Sequence, residues 1–340
     1  MAETVLVTGG TGYIAGWCVV ELLKRGYDVR TTVRRLSKEG AVRAAVATQV
    51  DPGGRLSFFA ADLTKDDGWP AAVAGCGYVL HVASPLGATQ TKNADDLVRP
   101  AREGALRVLR AATKAGVKRV VLTSSCGAAT PTKLGVNSVS DETQWSDPEA
   151  QKNDHYRLSK TLAERAAWDF MKEQGGTMEL VTILPSAVFG PVLSMDGLGS
   201  VQFIQRLIDG RLPRIPNVGL MVVDVRDVAL AHILAMTAPG AAGERFIASG
   251  DFMWMKDVAQ TLRAKLGARA PKIPTKNLPD FVVSIGANFS HALKTLKPLI
   301  GRSHRFASDK ARRVLNWSTR PAAETVVDCA ESLLAAEGKA

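Results

Sequence analysis

The stretch TVLVTGGTGYIAGWCVVELLKRGYDVRTTVR (4–34) constrains this chain more than any other. It runs from an unbroken apolar segment through a glycine turn into a helix-period segment (16–27). A second apolar segment (28–34) follows. Strands without polar alternation are buried on both faces, and a helical crossover between two of them makes them parallel. The alternation continues through LSFFAADL (56–63), YVLHVAS (78–84), a helix over 94–116 and KRVVLTSS (118–125). The expected fold class is α/β: a Rossmann-type doubly wound parallel sheet with a smaller C-terminal lobe. ELVTILPSAVFGP (179–191) reads as a further strand before a turn. Beyond it the alternation becomes irregular through MVVDV (221–225), ERFIASG (244–250) and a final helix over 322–338.

The turn itself, Gly9-Gly10-Thr11-Gly12-Tyr13-Ile14-Ala15, sits where the first strand gives way to the first helix. Gly9 permits the tight turn, Gly12 lets the backbone approach a pyrophosphate, and the small Ala15 lets helix and strand pack closely. The helix N-terminus offers N–H groups and a favourable dipole to phosphates. Residues 1–175 are therefore expected to form the nucleotide-binding domain, and 176–340 the remaining sheet elements and a substrate-binding lobe. The second strand ends in Val33-Arg34-Arg35, with Lys38 following. An acidic residue there would accept from a ribose 2′-hydroxyl, whereas Arg34 and Lys38 suit a 2′-phosphate, so NADP(H) is the expected cofactor. A merely solvated basic loop is the alternative. Asp62 is placed to accept from an adenine amino group with Leu63 beside the ring, unless Asp62 only caps a turn.

Tyr156 precedes Lys160 by four residues in DHYRLSKTLAERAAWDFM (154–171), a helix expected to run from about Asn153 to Gly175-Gly176. Four residues place both side chains on one helical face. Alone, that spacing also describes an ordinary amphipathic surface. With the glycine turn and a buried strand ending in Ser124-Ser125 upstream, it acquires something to act on.

Composition removes other classes. The 340 residues are 46% hydrophobic and 22% charged, ordinary for a globular chain. The net charge of +10 is dispersed among acids with no basic run interleaved with aromatics. A field that attracts an anionic cofactor accounts for it, and no nucleic-acid partner is expected. MAETVLVTGG reads as a strand and not as a secretory leader. The apolar segment 278–301 is broken by Asp280, His291, Lys294 and Lys297, so no membrane span is expected; it would cover a pocket or pack on a neighbour. Cys18, Cys76, Cys126 and Cys329 show no C-x-x-C spacing, which fits a reduced, cytoplasmic protein without structural zinc. Monomer and homodimer both stay open.

VTGGTGYIAGW, GYDVRTTVR, AADL, HVASP, VVLTSS, YRLSKTLAERAAW, ILPSAVFGP and VDVRDVALAHI together resemble the extended short-chain dehydrogenases/reductases. Within them the chain is most similar to dihydroflavonol-4-reductase-like and cinnamoyl-CoA-reductase-like carbonyl reductases. The matching stretches run from residue 4 to about 235, and RFASDKARRVLNW (305–317) resembles the family's C-terminal region. The resemblance implies a catalytic triad of Ser125, Tyr156 and Lys160, with Ser124 as the fallback serine. A free phenol titrates near a pH of about 10, so Lys160 and an oxidised nicotinamide are expected to lower the Tyr156 pKa. Lys160 would also bond the nicotinamide ribose, while Ser125 donates to a carbonyl oxygen as hydride arrives. The resemblance further implies that Val82, Ala83 and Ser84 line the cofactor, that Pro185 and Val188 meet its nicotinamide end, and that Ser200 touches it. Plant flavonoid reductases hold their substrate's hydroxyls with an Asn and a Gln at the places of Thr130 and Met221. A pocket of Met221, Phe189, Pro85 and Leu86 would instead suit a small-molecule carbonyl, apolar or aryl, unless Met221 is only core. A sugar-nucleotide epimerase and a non-catalytic NADP sensor are the rival readings. Arg157 and Ala187 replace residues usual in the epimerases, and sensors tend to lose the Tyr or the Lys.

Overall fold

The computed structural model describes residues 3–85 and 93–338. The strands are β1 (Thr4–Val7), β2 (Asp28–Val33), β3 (Leu56–Ala60), β4 (Tyr78–His81), β5 (Arg119–Thr123), β6 (Asn137–Ser140) and β7 (Glu179–Pro185). There follow β8 (Ala187–Phe189), β9 (Ile215–Pro216), β10 (Gly219–Asp224), β11 (Arg245–Ala248), β12 (Phe252–Trp254), β13 (Asn277–Leu278) and β14 (Ser303–Phe306). The helices are α1 (Tyr13–Lys24), α2 (Glu39–Ala47), α3 (Trp69–Val73), α4 (Asp95–Lys114), α5 (His155–Gln174) and α6 (Val201–Ile208). The later ones are α7 (Val225–Thr237), α8 (Met255–Leu266), α9 (Asp280–Gly286), α10 (His291–Leu296), α11 (Asp309–Leu315) and α12 (Ala322–Ala336).

Seven strands form one parallel sheet in the order β11-β7-β5-β4-β1-β2-β3. The chain leaves β1 for β2 and β3 on one side, then returns to β4 on the other. The switch point between β1 and β4 opens a crevice at the carboxyl ends of the strands, where α/β sheets bind ligands. Both faces are covered. Val5, Val7, Val121 and Val181 pack toward α1 and α7, whereas Leu6, Val79, Val120 and Leu180 pack with α3, α4 and α5. A second core joins α6, α8 and α12 around Phe189, Ile215 and Val222, under the sheet β12-β10-β8.

Three elements differ from the sequence reading. The first helix begins at Tyr13, on the turn itself, and ends at Lys24 because Gly26 adopts a left-handed conformation (φ 86°). The strand expected over 179–191 is two: β7 stays in the main sheet and β8 leaves it to pair with β10. Residues 244–250, read as part of the irregular region, supply β11, the seventh strand of the main sheet. In segment 278–301, Phe281, Ile285 and Phe289 are 66%, 60% and 88% exposed. Among the described residues, no helix is long and apolar enough to cross a membrane.

Candidate active site

The glycine turn follows β1 at the switch point. The Gly9 amide donates to Thr32 Oγ1 at 2.9 Å and the Gly10 amide to the Thr32 carbonyl at 2.8 Å, tying the turn to β2. Gly9 holds φ 77° and faces the backbone after β4. A Cβ on it would lie 3.0 Å from Ala83, so only glycine fits. Thr8 fastens the opposite wall: its Oγ1 accepts from the Ala83 amide at 3.0 Å and meets His81 Nδ1 at 2.8 Å. Burial pushes the His81 pKa down to about 3, so it stays neutral. Gly12, extended at the N-cap of α1, completes a cradle of backbone. A narrow cleft above it is lined by Gly10, Thr11, Gly12, Lys38, Leu193 and Asp196. Arg34 is exposed near Asp62, and Lys38 pairs with Asp196 at 3.0 Å.

Helix α5 starts where Asp154 caps it, the carboxylate accepting from the Arg157 amide at 3.1 Å. It packs along α4 and turns Tyr156, Lys160 and Glu164, spaced by four, toward the end of β5. The Ser125 side chain hydrogen-bonds the Tyr156 phenol, and its Oγ accepts from the Gly127 amide at 3.1 Å. Lys160 Nζ donates to the Thr123 carbonyl at 3.0 Å. The two serines part company here. Ser124 is buried, its hydroxyl donating to Glu164 Oε2 at 2.6 Å, while Ser125 is half-buried beside the phenol.

Burial opposes the effect expected of Lys160 and an oxidised nicotinamide. The Tyr156 pKa is raised and not lowered: burial is the main cause, opposed by the Ser125 hydrogen bond and reinforced by Asp154 and Cys126. The phenol therefore stays protonated at neutral pH, the state a proton donor needs. Burial pushes the Lys160 pKa down to about 8, with Glu164 pulling it up.

A model of the NAD dependent epimerase/dehydratase family matches residues 5–248. The chain belongs to this family, the extended short-chain dehydrogenases/reductases. It is 39% identical over 278 residues to cinnamoyl-CoA reductase 1 of Arabidopsis thaliana, covering 81% of this chain and 77% of that one. It is 35% identical over 256 residues to an anthocyanidin reductase of Vitis vinifera, covering 71% and 75%. Yeast methylglyoxal/isovaleraldehyde reductase, solved with NADPH, superposes with a TM-score of 0.83 at 27% identity, covering 99% of this chain and 100% of that one.

Other residues expected at the family's site are scattered. Asp62 Oδ1 accepts from the Thr64 amide and hydroxyl, both at 2.8 Å, which lowers its pKa and caps the turn after β3. Leu63 packs on Gly104 of α4. Tyr13 donates its hydroxyl to the Gly190 carbonyl at 2.7 Å, and Ile14, in the first turn of α1, packs against the core. Val82, Ala83, Ser84 and Pro85 are half-buried after β4; Leu86 lies outside the described residues. Pro185 and Val188 are buried around the β7–β8 break, and Ser200 donates to the Val188 carbonyl. The structure does not bring Phe189 to the cleft: it is 1% exposed inside the second core, its ring 6.4 Å from Phe203. Thr130 spends its hydroxyl on the Cys126 carbonyl at 2.9 Å, closing a 3-10 turn. Met221 is buried on β10 opposite Phe252, whose ring packs edge-on against Trp254 at 5.0 Å. Sequence reasoning missed that Phe252 on β12 lies opposite Met221, because that place follows from a nonlocal strand pair. It also missed Glu164, although YRLSKTLAE repeats the four-residue spacing once more. Among the described residues, no cluster of three His, Cys, Asp or Glu could hold a metal.

Proposed function

We propose that this chain is an NADPH-dependent carbonyl reductase, reducing an aldehyde or ketone to an alcohol and running in reverse as an alcohol dehydrogenase. The observation that carries this reading is the half-buried Ser125–Tyr156 pair, with Lys160 one turn beyond, at the carboxyl edge of the sheet. The names of the relatives support it: cinnamoyl-CoA, anthocyanidin and methylglyoxal/isovaleraldehyde reductases all reduce their substrates.

The residues fit the dinucleotide. A Cβ on Gly9 or Gly12 would project into the backbone cradle, within 3.0 Å of Ala83 and 3.1 Å of the Gly9 carbonyl respectively. Thr11, Gly12 and the first amides of α1 would hold the pyrophosphate, Arg34 and Lys38 the 2′-phosphate, and Lys160 the nicotinamide ribose. NADPH, when bound, supplies the hydride. Ser125 turns its hydroxyl toward the carbonyl oxygen, fixing it beside Tyr156. Tyr156 Oη gives its proton to that oxygen, and the Lys160 ammonium stabilises the phenolate left behind. The expected substrate class, apolar or aryl carbonyls over polyhydroxylated rings, rests on Met221, buried opposite Phe252, and on Thr130, whose hydroxyl is spent on the Cys126 carbonyl.

NADPH oxidation followed against aryl ketones, aliphatic aldehydes, dihydroflavonols and UDP-sugars tests the reading. Turnover is expected with the first two groups and highest there. No turnover with any carbonyl would refute it, and conversion of a UDP-sugar without net NADPH oxidation would replace it with epimerase chemistry.

A further inference from the structure

Glu164 is 1% exposed, four residues beyond Lys160, which is four beyond Tyr156. The three side chains meet three consecutive residues at the end of β5. Tyr156 meets Ser125, Lys160 donates to the Thr123 carbonyl, and Glu164 accepts from the Ser124 hydroxyl at 2.6 Å. Glu164 Oε1 also accepts from Thr182 Oγ1 and from Arg245 Nε, both at 2.8 Å. Arg245 carries the contact onward. Its guanidinium lies 3.6 Å from the Trp145 ring centroid and donates to the carbonyls of Glu142 at 2.7 Å, Gln144 at 2.9 Å and Ala128 at 3.4 Å. Glu164 thus grips the residue before Ser125 directly, and the turn after Ser125 through Arg245.

A buried ion pair is an expensive way to fill a core, and apolar side chains of similar volume often serve stability better. The carboxylate provides instead a fixed geometry on both sides of Ser125 and a negative charge one turn from Lys160. Glu164 is the anion whose charge acts on Lys160; the other titratable groups nearby are neutral, cationic or turned elsewhere. His81 on β4 and His232 on α7 are held neutral by burial, with pKa values down to about 3 and about 4. His232 Nε2 meets Thr123 Oγ1 at 2.7 Å and Nδ1 meets the Val228 carbonyl at 2.8 Å. Arg245 on β11 is cationic and faces Glu164; Glu142 turns its carboxylate to the Ile247 amide at 3.0 Å; Tyr156 is a protonated phenol; and burial holds the Cys126 thiol protonated. The buried residues of α4, which packs along α5, are Leu97, Ala101, Gly104, Ala105, Leu106, Val108, Leu109 and Ala112, none of them titratable.

We propose that Glu164 is a positioning residue for the reaction: by gripping Ser124 and the Arg245-bound turn it holds the Ser125 hydroxyl against Tyr156, and it keeps an anion beside the Lys160 ammonium. This rests on the carbonyl-reductase reading above. Two variants test it, Ser124→Ala, which leaves the ion pair whole, and Glu164→Gln, which keeps shape and removes charge. The measurements are kcat and KM against pH with the best carbonyl, NADPH affinity by fluorescence, and thermal melting. Ser124→Ala is expected to lower kcat about tenfold through a loosened serine, with NADPH affinity and melting near wild type. Glu164→Gln is expected to lower kcat at least as far. It should also move the alkaline limb of the kcat profile to lower pH by roughly one unit, since Lys160 then loses its proton sooner. A structural role alone would lower melting and leave that limb in place. Ser124→Ala with kcat within twofold of wild type overturns the proposal, and it decides alone if Glu164→Gln does not fold. A wild-type enzyme that reduces no carbonyl overturns the underlying reading instead.

Discussion

Replacing Lys160 by methionine is expected to stabilise the fold at neutral pH while abolishing turnover. The lysine is 7% exposed, and burial brings its pKa from 10.5 to about 8. As pH rises, the native protein releases this proton before the unfolded chain does. Between about pH 8 and 10.5 the unfolded chain therefore binds more protons, and stability rises with pH. The penalty of the buried charge is present in full below pH 8 and gone above 10.5. A gap of roughly 2.5 pH units corresponds to about 3 kcal/mol. Methionine has similar bulk and no charge, and Glu164 keeps Arg245 as its counter-ion. What is lost is the bond from Nζ to the Thr123 carbonyl, worth about 1 kcal/mol net. The variant should gain about 2 kcal/mol at pH 7 and lose about 1 kcal/mol near pH 10.5. Urea unfolding of both proteins under reducing conditions at pH 7 and pH 10 reads the difference. A variant destabilised at pH 7, or a difference between the proteins that does not change with pH, would refute the reasoning.

Arg34→Asp is expected to shrink or reverse a preference for NADPH over NADH in kcat/KM, because a carboxylate repels the 2′-phosphate and accepts from a 2′-hydroxyl; a wild-type preference for NADH would remove the basis of that prediction. Met221→Gln should move the ratio of kcat/KM values toward hydroxylated carbonyls, by no more than one or two hydrogen bonds at about 1 kcal/mol each. Wild-type protein that prefers dihydroquercetin to every simple ketone would contradict the apolar assignment.

The main sheet was readable because its strands are buried on both faces and so appear as unbroken apolar runs, each followed by a helical pattern. β11 was harder. RFIA is as apolar as the others, but it follows a stretch whose strand β10 belongs to another sheet, so position in the chain concealed its partner. The break at Ser186 was hidden for a similar reason. Pro185 and Ala187 are both compatible with extended backbone, and only the pull of β10 on β8 separates them. At the site, residues that act through local spacing were visible: the glycine turn, and Tyr156 with Lys160. Those set by long-range packing were not. Phe189 reads as a pocket residue in the sequence, yet the second core encloses it. Glu164 needed Arg245, 81 positions away, before its burial made sense. Four-residue spacing reports the lysine near Tyr156 but not the burial that raises its pKa, which long-range packing sets.

The central claim is that Tyr156 gives the proton that completes carbonyl reduction. Tyr156→Phe removes one hydroxyl and leaves the glycine cradle, Arg34 and Lys160 untouched. NADPH binding by fluorescence and single-turnover NADPH oxidation with the best carbonyl substrate should be measured on the same preparation. The expected result is affinity within a few-fold of wild type and a rate lower by about two to four orders of magnitude, as for loss of a general acid. A variant that binds NADPH normally and still turns over near the wild-type rate would contradict the account.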